Sequence, residues 1–229
     1  MLPWTAPAAA DRLSDVRDTS LAKLVRDDVL ELILQGALLP GQRINEPDIA
    51  ARLKVSRVPV REALRELESS GLVVSRKNAG VFVRRLEAAD VRELYELREM
   101  LDGYAASRVA ALPGTRRLPL ARQLEAAIAT MNQAVDRGDA QAYYAENLKF
   151  HWAIVEAVGN QQLLASYRGV IQRLHVARLT NLSGDAGRRI SIAEHVQIAR
   201  ALRQGDALAS ERLARTHVTD AHARLGATP

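Results

Sequence analysis

A mainly α-helical protein is predicted, with an N-terminal winged helix-turn-helix of three helices plus a β-hairpin wing, followed by an all-α bundle of about six helices. Three observations predict it. Residues 20–86 hold three short amphipathic helices and then two β-rich runs. Everything after residue 86 is patterned at the helical period. Positive charge is concentrated in the first part: nine Lys or Arg stand against three acids between Arg52 and Arg85, an excess of +6 where the whole chain carries only +5. Such a local excess is the electrostatic footprint of a polyanion-binding surface.

Composition narrows the classes further. With 48% hydrophobic and 26% charged residues over 229 positions, the chain reads as an ordinary globular protein of one or two domains. Cysteine is absent, which excludes a disulfide framework, thiolate zinc fingers and a cysteine nucleophile. No apolar stretch approaches the roughly 20 residues that span a bilayer, and the first ten residues lack a basic start and a long apolar core. A cytoplasmic protein with no membrane partner is expected.

Residues 1–19, rich in Ala, Pro and Asp and without periodicity, read as a flexible arm. From Ser20, Leu21, Leu24, Val25, Val29, Leu32 and Ile33 recur at helical spacing to a stop near Gln35-Gly36. The turn Leu39-Pro40-Gly41 follows. Pro47 suits the first turn of a second short helix with Ile49, Ala50 and Leu53 on one face, interrupted at Lys54-Val55-Ser56. Ser56 is placed to cap a third helix through Val60, Ala63, Leu64 and Leu67, ending at Ser69-Ser70-Gly71. Leu72 to Arg76 and Val81 to Arg84 then read as strands joined by the turn Lys77-Asn78-Ala79-Gly80.

Helix formers take over after Arg85. The first long helix, about 88–112, carries Val91, Leu94, Leu97, Leu101, Tyr104, Ala105 and Val109 and closes at Pro113-Gly114; the second, about 118–137, ends at Gly138-Asp139. A third holds Tyr144, Leu148, His151, Trp152 and Val155 up to Gly159-Asn160. A fourth, through Tyr167, Ile171, Leu174 and Arg178, reaches the segment 183–187. The last two, about 188–204 and 206–225, are divided by Gly205-Asp206. Domains are therefore expected at 20–86 and 87–229, behind the arm 1–19.

In the basic segment, the run Ser56 to Leu64 can turn Val60, Ala63 and Leu64 to the core. Arg57 and Arg61, four apart, then share the opposite face, where a guanidinium can read guanine bidentately or neutralise phosphate. Arg52 adds charge, Ser56 offers donors to phosphate, and Lys77 and Gly80 at the wing tip provide a cation and room for close approach. The competing reading is a merely solvated basic face. The hairpin, the turn signals and the charge cluster together outweigh it.

The run Leu39 to Glu46, then Ile49 to Leu67 and Gly71-Leu72-Val73, resembles the DNA-binding domain of the GntR family of bacterial transcription regulators. That resemblance implies a helix-turn-helix proper over 46–65, Arg57 and Arg61 on base edges and Gly80 at the minor groove. Pro47 stands where some members carry a DNA-contacting arginine. The pieces Glu93 to Arg98, Asn147 to His151, Val158-Gly159-Asn160, Glu194 to Ile198, Gly205-Asp206 and His217 are similar to the helical effector domain of the FadR subfamily, the FCD domain. Many of its members bind a divalent metal through an Asp-x-x-x-His pair and two later histidines. Here the corresponding positions are Asn147, His151, His195 and His217, with a neutral amide in place of the carboxylate.

Residues 147 and 151 lie one helical turn apart, and three neutral imidazoles suit zinc or nickel. The alternative is a set of hydrogen-bonded core histidines beside a metal-free effector pocket. Arg98 falls on or beside the buried stripe of its helix, where a permanent cation needs an anion, either an effector carboxylate or an internal acid. Arg178 poses the same question. The expected function is a ligand-responsive regulator, a repressor by the commoner family behaviour, which binds palindromic operator DNA as a homodimer and senses a small carboxylate metabolite. Two other classes compete. A constitutive DNA-binding protein would need no effector pocket, and a metal-dependent hydrolase would need a motif such as HExxH, which the chain lacks.

Overall fold

The computed structural model describes residue 3 and residues 20–178 and 185–226, the side chains of 185, 186 and 226 excepted. The arm expected over 1–19, residue 3 excepted, and residues 183 and 184 of the connection expected at 183–187 lie outside the described residues, while 185–187 are helical. The chain divides into two compact units.

The first unit opens with α1 (Leu21–Leu34), where the Ser20 hydroxyl accepts from the Lys23 amide at 3.2 Å. A two-residue strand, β1 (Arg43–Ile44), precedes α2 (Glu46–Leu53) and α3 (Arg57–Ser69). The turn between α2 and α3 is made by Lys54, a non-glycine residue with φ of 55° whose amide closes back on Ala50 and Ala51. Ser56 occupies the N-cap of α3 as expected, but its side chain makes no capping hydrogen bond there. The wing comprises β2 (Val73–Arg76) and β3 (Gly80–Val83), and β1 pairs with the other edge of β3 to give an antiparallel sheet ordered β1-β3-β2. Two residues are too short for periodicity to register, so β1 left no strand signal in the sequence.

The apolar faces of α1 and α3 meet in the core of this unit, where Val25, Val29, Ile33, Val60, Ala63, Leu64 and Leu67 are buried. Ile44, Val73 and Val83 add the inner face of the sheet.

The second unit holds α4 (Ala88–Ala110), α5 (Gly114–Asp136), α6 (Ala140–Ala157), residues 161–170 of α7 (Gln161–Arg178), α8 (Asp185–Gln204) and α9 (Ala207–Gly226). The Gly-Asp grammar works as read, because Asp139 and Asp206 each accept a capping bond, from the amides of Ala142 and Ala209. α5 begins four residues earlier than expected, with Pro113 accepting from the amides of Arg116 and Arg117 at 2.9 and 3.0 Å. Pro119 thus lies inside the helix rather than in its first positions. α4 packs closely along α9, and Gly103 permits this. A Cβ built there would lie 2.5 Å from Arg215 Cγ, and Arg215 in turn pairs with Glu99 at 2.9 Å.

The units divide between residues 87 and 88, and residues 171–178 of α7 also group with the first unit. His175 there donates from Nε2 to the Leu34 carbonyl at 2.8 Å, in the last turn of α1. Packing rather than sequence order decides that assignment.

A buried histidine cluster and an arginine-bearing winged helix

His151 projects from the middle of α6, His195 from α8 and His217 from α9, and all three are at most 2% exposed. Their Nε2 atoms converge: His151 Nε2 lies 3.1 Å from His217 Nε2 and 3.2 Å from His195 Nε2. Behind two of the rings stand carboxylates. Asp102 Oδ1 is 3.1 Å from His151 Nδ1, and Glu194 Oε2 is 2.6 Å from His217 Nδ1. Each carboxylate is held by an arginine in turn: Arg98 Nε meets Asp102 Oδ2 at 3.1 Å, while Arg224 forks onto both oxygens of Glu194 at 2.7 and 2.8 Å. The Tyr167 hydroxyl also donates to Asp102 Oδ1, at 3.3 Å.

The carboxylates fix the tautomers of His151 and His217. With Nδ1–H donated to a carboxylate, Nε2 of His151 and of His217 presents a lone pair to the cluster centre. Facing lone pairs at this spacing repel unless a proton or a cation lies between them. Burial disfavours an added proton, which would make an imidazolium. It pushes His151 down to about 4, outweighing the Asp102 carboxylate, and holds His195 and His217 below the usual imidazole range as well. Asp102 remains below the usual carboxylate range because His151 and Arg98 outweigh its burial. Against its own partial burial, Glu194 is pulled down to about 2 by His217 and Arg224. Buried neutral imidazoles oriented from behind by carboxylates are the donor set that zinc-like ions take, so the residues fit such a group. His195 Nδ1 is buried with no hydrogen-bond partner among the described residues.

Asn147 is buried one turn before His151 on α6. Arg98 is 5% exposed, and the internal acid weighed against an effector carboxylate is present as Asp102. Arg178 falls in the portion of α7 that groups with the first unit. Asp102 itself was not anticipated from the sequence. An open groove of about 780 Å³ runs along α9 beside Glu99, and neither Arg98 nor any of the three histidines lines it.

In the first unit Arg57 and Arg61 are exposed on α3, and both reach one carboxylate, Glu46 Oε2, at 3.5 and 2.8 Å. These contacts, that of Arg61 foremost, hold Glu46 below the usual carboxylate range. Arg52 is exposed and lies 3.7 Å from Asp28. Ser56 and Lys77 are exposed, and so is Gly80, which begins β3. Glu46, the acid shared by Arg57 and Arg61, is a further residue not singled out from sequence.

A winged helix with exposed arginines, carried by a chain whose helical bundle buries a polar, cation-compatible centre, defines a DNA-binding regulator with a sensing domain. Residues 21–83 match the model of bacterial regulatory proteins of the gntR family, and residues 93–220 match that of the FCD domain. The chain belongs to the FCD-containing GntR family of transcription regulators. It is 33% identical over 201 residues, 87% of its own length and 86% of the relative's, to a protein of Paenarthrobacter nicotinovorans named probable D-xylose utilization operon transcriptional repressor. To the Nta operon transcriptional regulator of Aminobacter aminovorans it is 35% identical, over 69% of this chain and 72% of that one. The crystal structure of a GntR transcriptional regulator from Rhodococcus sp. RHA1 superposes with a TM-score of 0.75 at 26% identity, covering 92% of this chain and all of that one. No described helix is long and apolar enough to cross a membrane.

Proposed function

We propose that this regulator is a FadR-subfamily repressor that binds a palindromic operator as a homodimer and senses a small organic acid at a divalent metal in its helical bundle. Repression is supported by the relative from Paenarthrobacter nicotinovorans, which is named as an operon repressor. Arg52, Ser56, Arg57, Arg61, Lys77 and Gly80 are the DNA-facing set, with Arg57 and Arg61 on base edges once they exchange Glu46 for DNA. Two-fold pairing follows from the small contact one winged helix makes.

The observation that carries the sensing half is the convergence of three buried Nε2 atoms within hydrogen-bond distance. His151, His195 and His217 would hold zinc or nickel, with the Asn147 amide oxygen as a fourth, neutral donor. Such an ion supplies an electrophilic centre for a carboxylate oxygen. Asp102 and Glu194 orient the rings, and buried Arg98, whose Nε holds Asp102, would turn its remaining N–H groups to the acid's second oxygen.

Thermal unfolding of the protein with zinc, with a panel of small carboxylates, and with both tests this reading. A ligand at 100 times its dissociation constant adds about 2.7 kcal/mol, and the acid is expected to stabilise only when zinc is present. Carboxylates that leave both stability and DNA affinity unchanged, with and without zinc, would favour the constitutive DNA-binding alternative.

A further inference from the structure

The wing carries two guanidinium groups that the sequence did not mark. In the sheet register Arg43 on β1 lies opposite Phe82, and Arg76 on β2 lies opposite Gly80. Because side chains alternate along a strand, Arg43, Phe82, Gly80, Val74 and Arg76 share one face. Ile44, Val73 and Val83, on the opposite face, are buried in the core. The arginine face is therefore the outer one.

Both guanidiniums are seated rather than loose. A Cβ built on Gly80 would meet Arg43 Nε at 3.1 Å and Nη2 at 3.3 Å, so the Arg43 head lies against the bare α-carbon of the glycine. Gly80 also has φ of 101°, which disfavours any side chain there. The Arg76 Cζ atom sits 4.6 Å from the centroid of the Phe82 ring, within cation–π distance. Stacking of this kind holds the plane of an arginine while leaving its N–H edges available. Among the described residues neither Arg43 nor Arg76 makes an ion pair, whereas Arg57 and Arg61 share Glu46 and Arg26 is bound to Asp27 and Glu66. Two exposed, oriented cations on one face, with no internal anion, lack only an external one.

We infer that Arg43 and Arg76 are DNA-backbone contacts, two phosphate clamps on the outer face of the sheet, and that Gly80, within the DNA-facing set, also seats Arg43. Phosphate rather than base is the target because the cations are fixed on a short sheet face, whereas base reading falls to the recognition helix α3. This inference rests on the DNA-binding reading. It adds a sequence-independent share of affinity located outside the helix-turn-helix.

The test uses the full-length protein and a labelled duplex that the wild type has selected from a randomised pool, with dissociation constants measured across a salt series. Each phosphate contact contributes about 0.9 to the slope of log affinity against log salt. Arg43→Ala and Arg76→Ala are each expected to lower the slope by that amount and the double variant by about 1.8, with thermal unfolding unchanged. Arg43→Lys and Arg76→Lys keep the charge and are expected to keep the slope. Folded alanine variants that retain the wild-type slope overturn the assignment, as does a loss of affinity confined to particular sequences at constant slope. A wild type that binds no duplex overturns the DNA-binding reading itself, and the wing assignment with it.

Discussion

Asp102 Oδ1 lies 3.1 Å from His151 Nδ1, and both residues are 2% exposed. The carboxylate on α4 thus fixes which nitrogen of the α6 imidazole faces His195 and His217. A neutral amide at the same place would leave the ring poorly oriented and less basic. Asp102→Asn is expected to weaken zinc binding by about 10- to 100-fold, the usual consequence of losing an outer-shell partner. Competition titration against a chelator of known affinity reads this directly. Wild-type affinity in the variant would show that Asp102 does not act through His151.

The same burial sets a pH dependence. The His151 imidazole protonates near 6.5 in an unfolded chain and near 4 in the fold, so the unfolded state binds the extra proton between those values. Metal-free protein should accordingly hold its full stability above about pH 6.5 and lose it progressively from there to about 4. His195 and His217 act in the same direction. Glu194, depressed to about 2, extends the loss further into acid as its ordinary value is passed. Melting temperatures across this range check the expectation, and a flat profile from pH 6.5 to 4 contradicts it.

Much of this was legible from sequence, for reasons that particular residues make clear. The histidines stand out because His is rare here and the positions match a familiar spacing. Element ends were readable where a cap or glycine fixed them, as at Asp139 and Gly205. Asp102 was not, because α4 departs from the pattern on which the reading relied. The apolar residues Leu97, Met100 and Tyr104 on that helix are 40, 63 and 48% exposed, while Arg98 and Asp102 are buried as an i,i+4 ion pair. A helix that buries charge and exposes leucine gives a misleading stripe, and only packing reveals which face is inside.

Gly103 offers a stability test of the close α4 to α9 contact. Alanine is favoured over glycine inside a helix by about 1 kcal/mol, yet its Cβ would stand 2.5 Å from Arg215 Cγ. Overpacking typically costs about 1 to 3 kcal/mol. Gly103→Ala should therefore give no gain, or a loss, when Arg215 is present, and should stabilise an Arg215→Ala background. Chemical denaturation of the four proteins of this cycle decides it. Equal stabilisation in both backgrounds would mean that Arg215 moves aside without cost.

For the recognition helix, Arg57→Ala and Arg61→Ala should each cost roughly 1 to 3 kcal/mol of specific binding and relax base preference, which distinguishes them from the wing arginines. Both are more than half exposed, so the fold should survive. Binding to a selected duplex and to its single-base variants is the measurement. Unchanged affinity and preference in both variants would remove them from the base edges.

The proposed metal site is tested best by changing its candidate ligands in opposite directions. His195 is fully buried and its Nε2 lies 3.2 Å from His151 Nε2, so His195→Ala deletes one of three imidazole donors and should abolish stoichiometric zinc. Asn147→Asp places an anionic oxygen one turn before His151, and an ion held otherwise by neutral donors should bind more tightly for it. In metal-free protein, however, the same substitution buries an additional carboxylate, which is costly without a cation. Asn147→Asp should therefore be less stable than the wild type without zinc and closer to it, or above it, with zinc. Hydrogen-bonded core histidines with no metal role predict the first loss without the recovery. Metal analysis after reloading, read beside melting temperatures with and without zinc, separates the two. If neither wild type nor Asn147→Asp retains stoichiometric metal while both remain folded, the three imidazoles belong to a metal-free core.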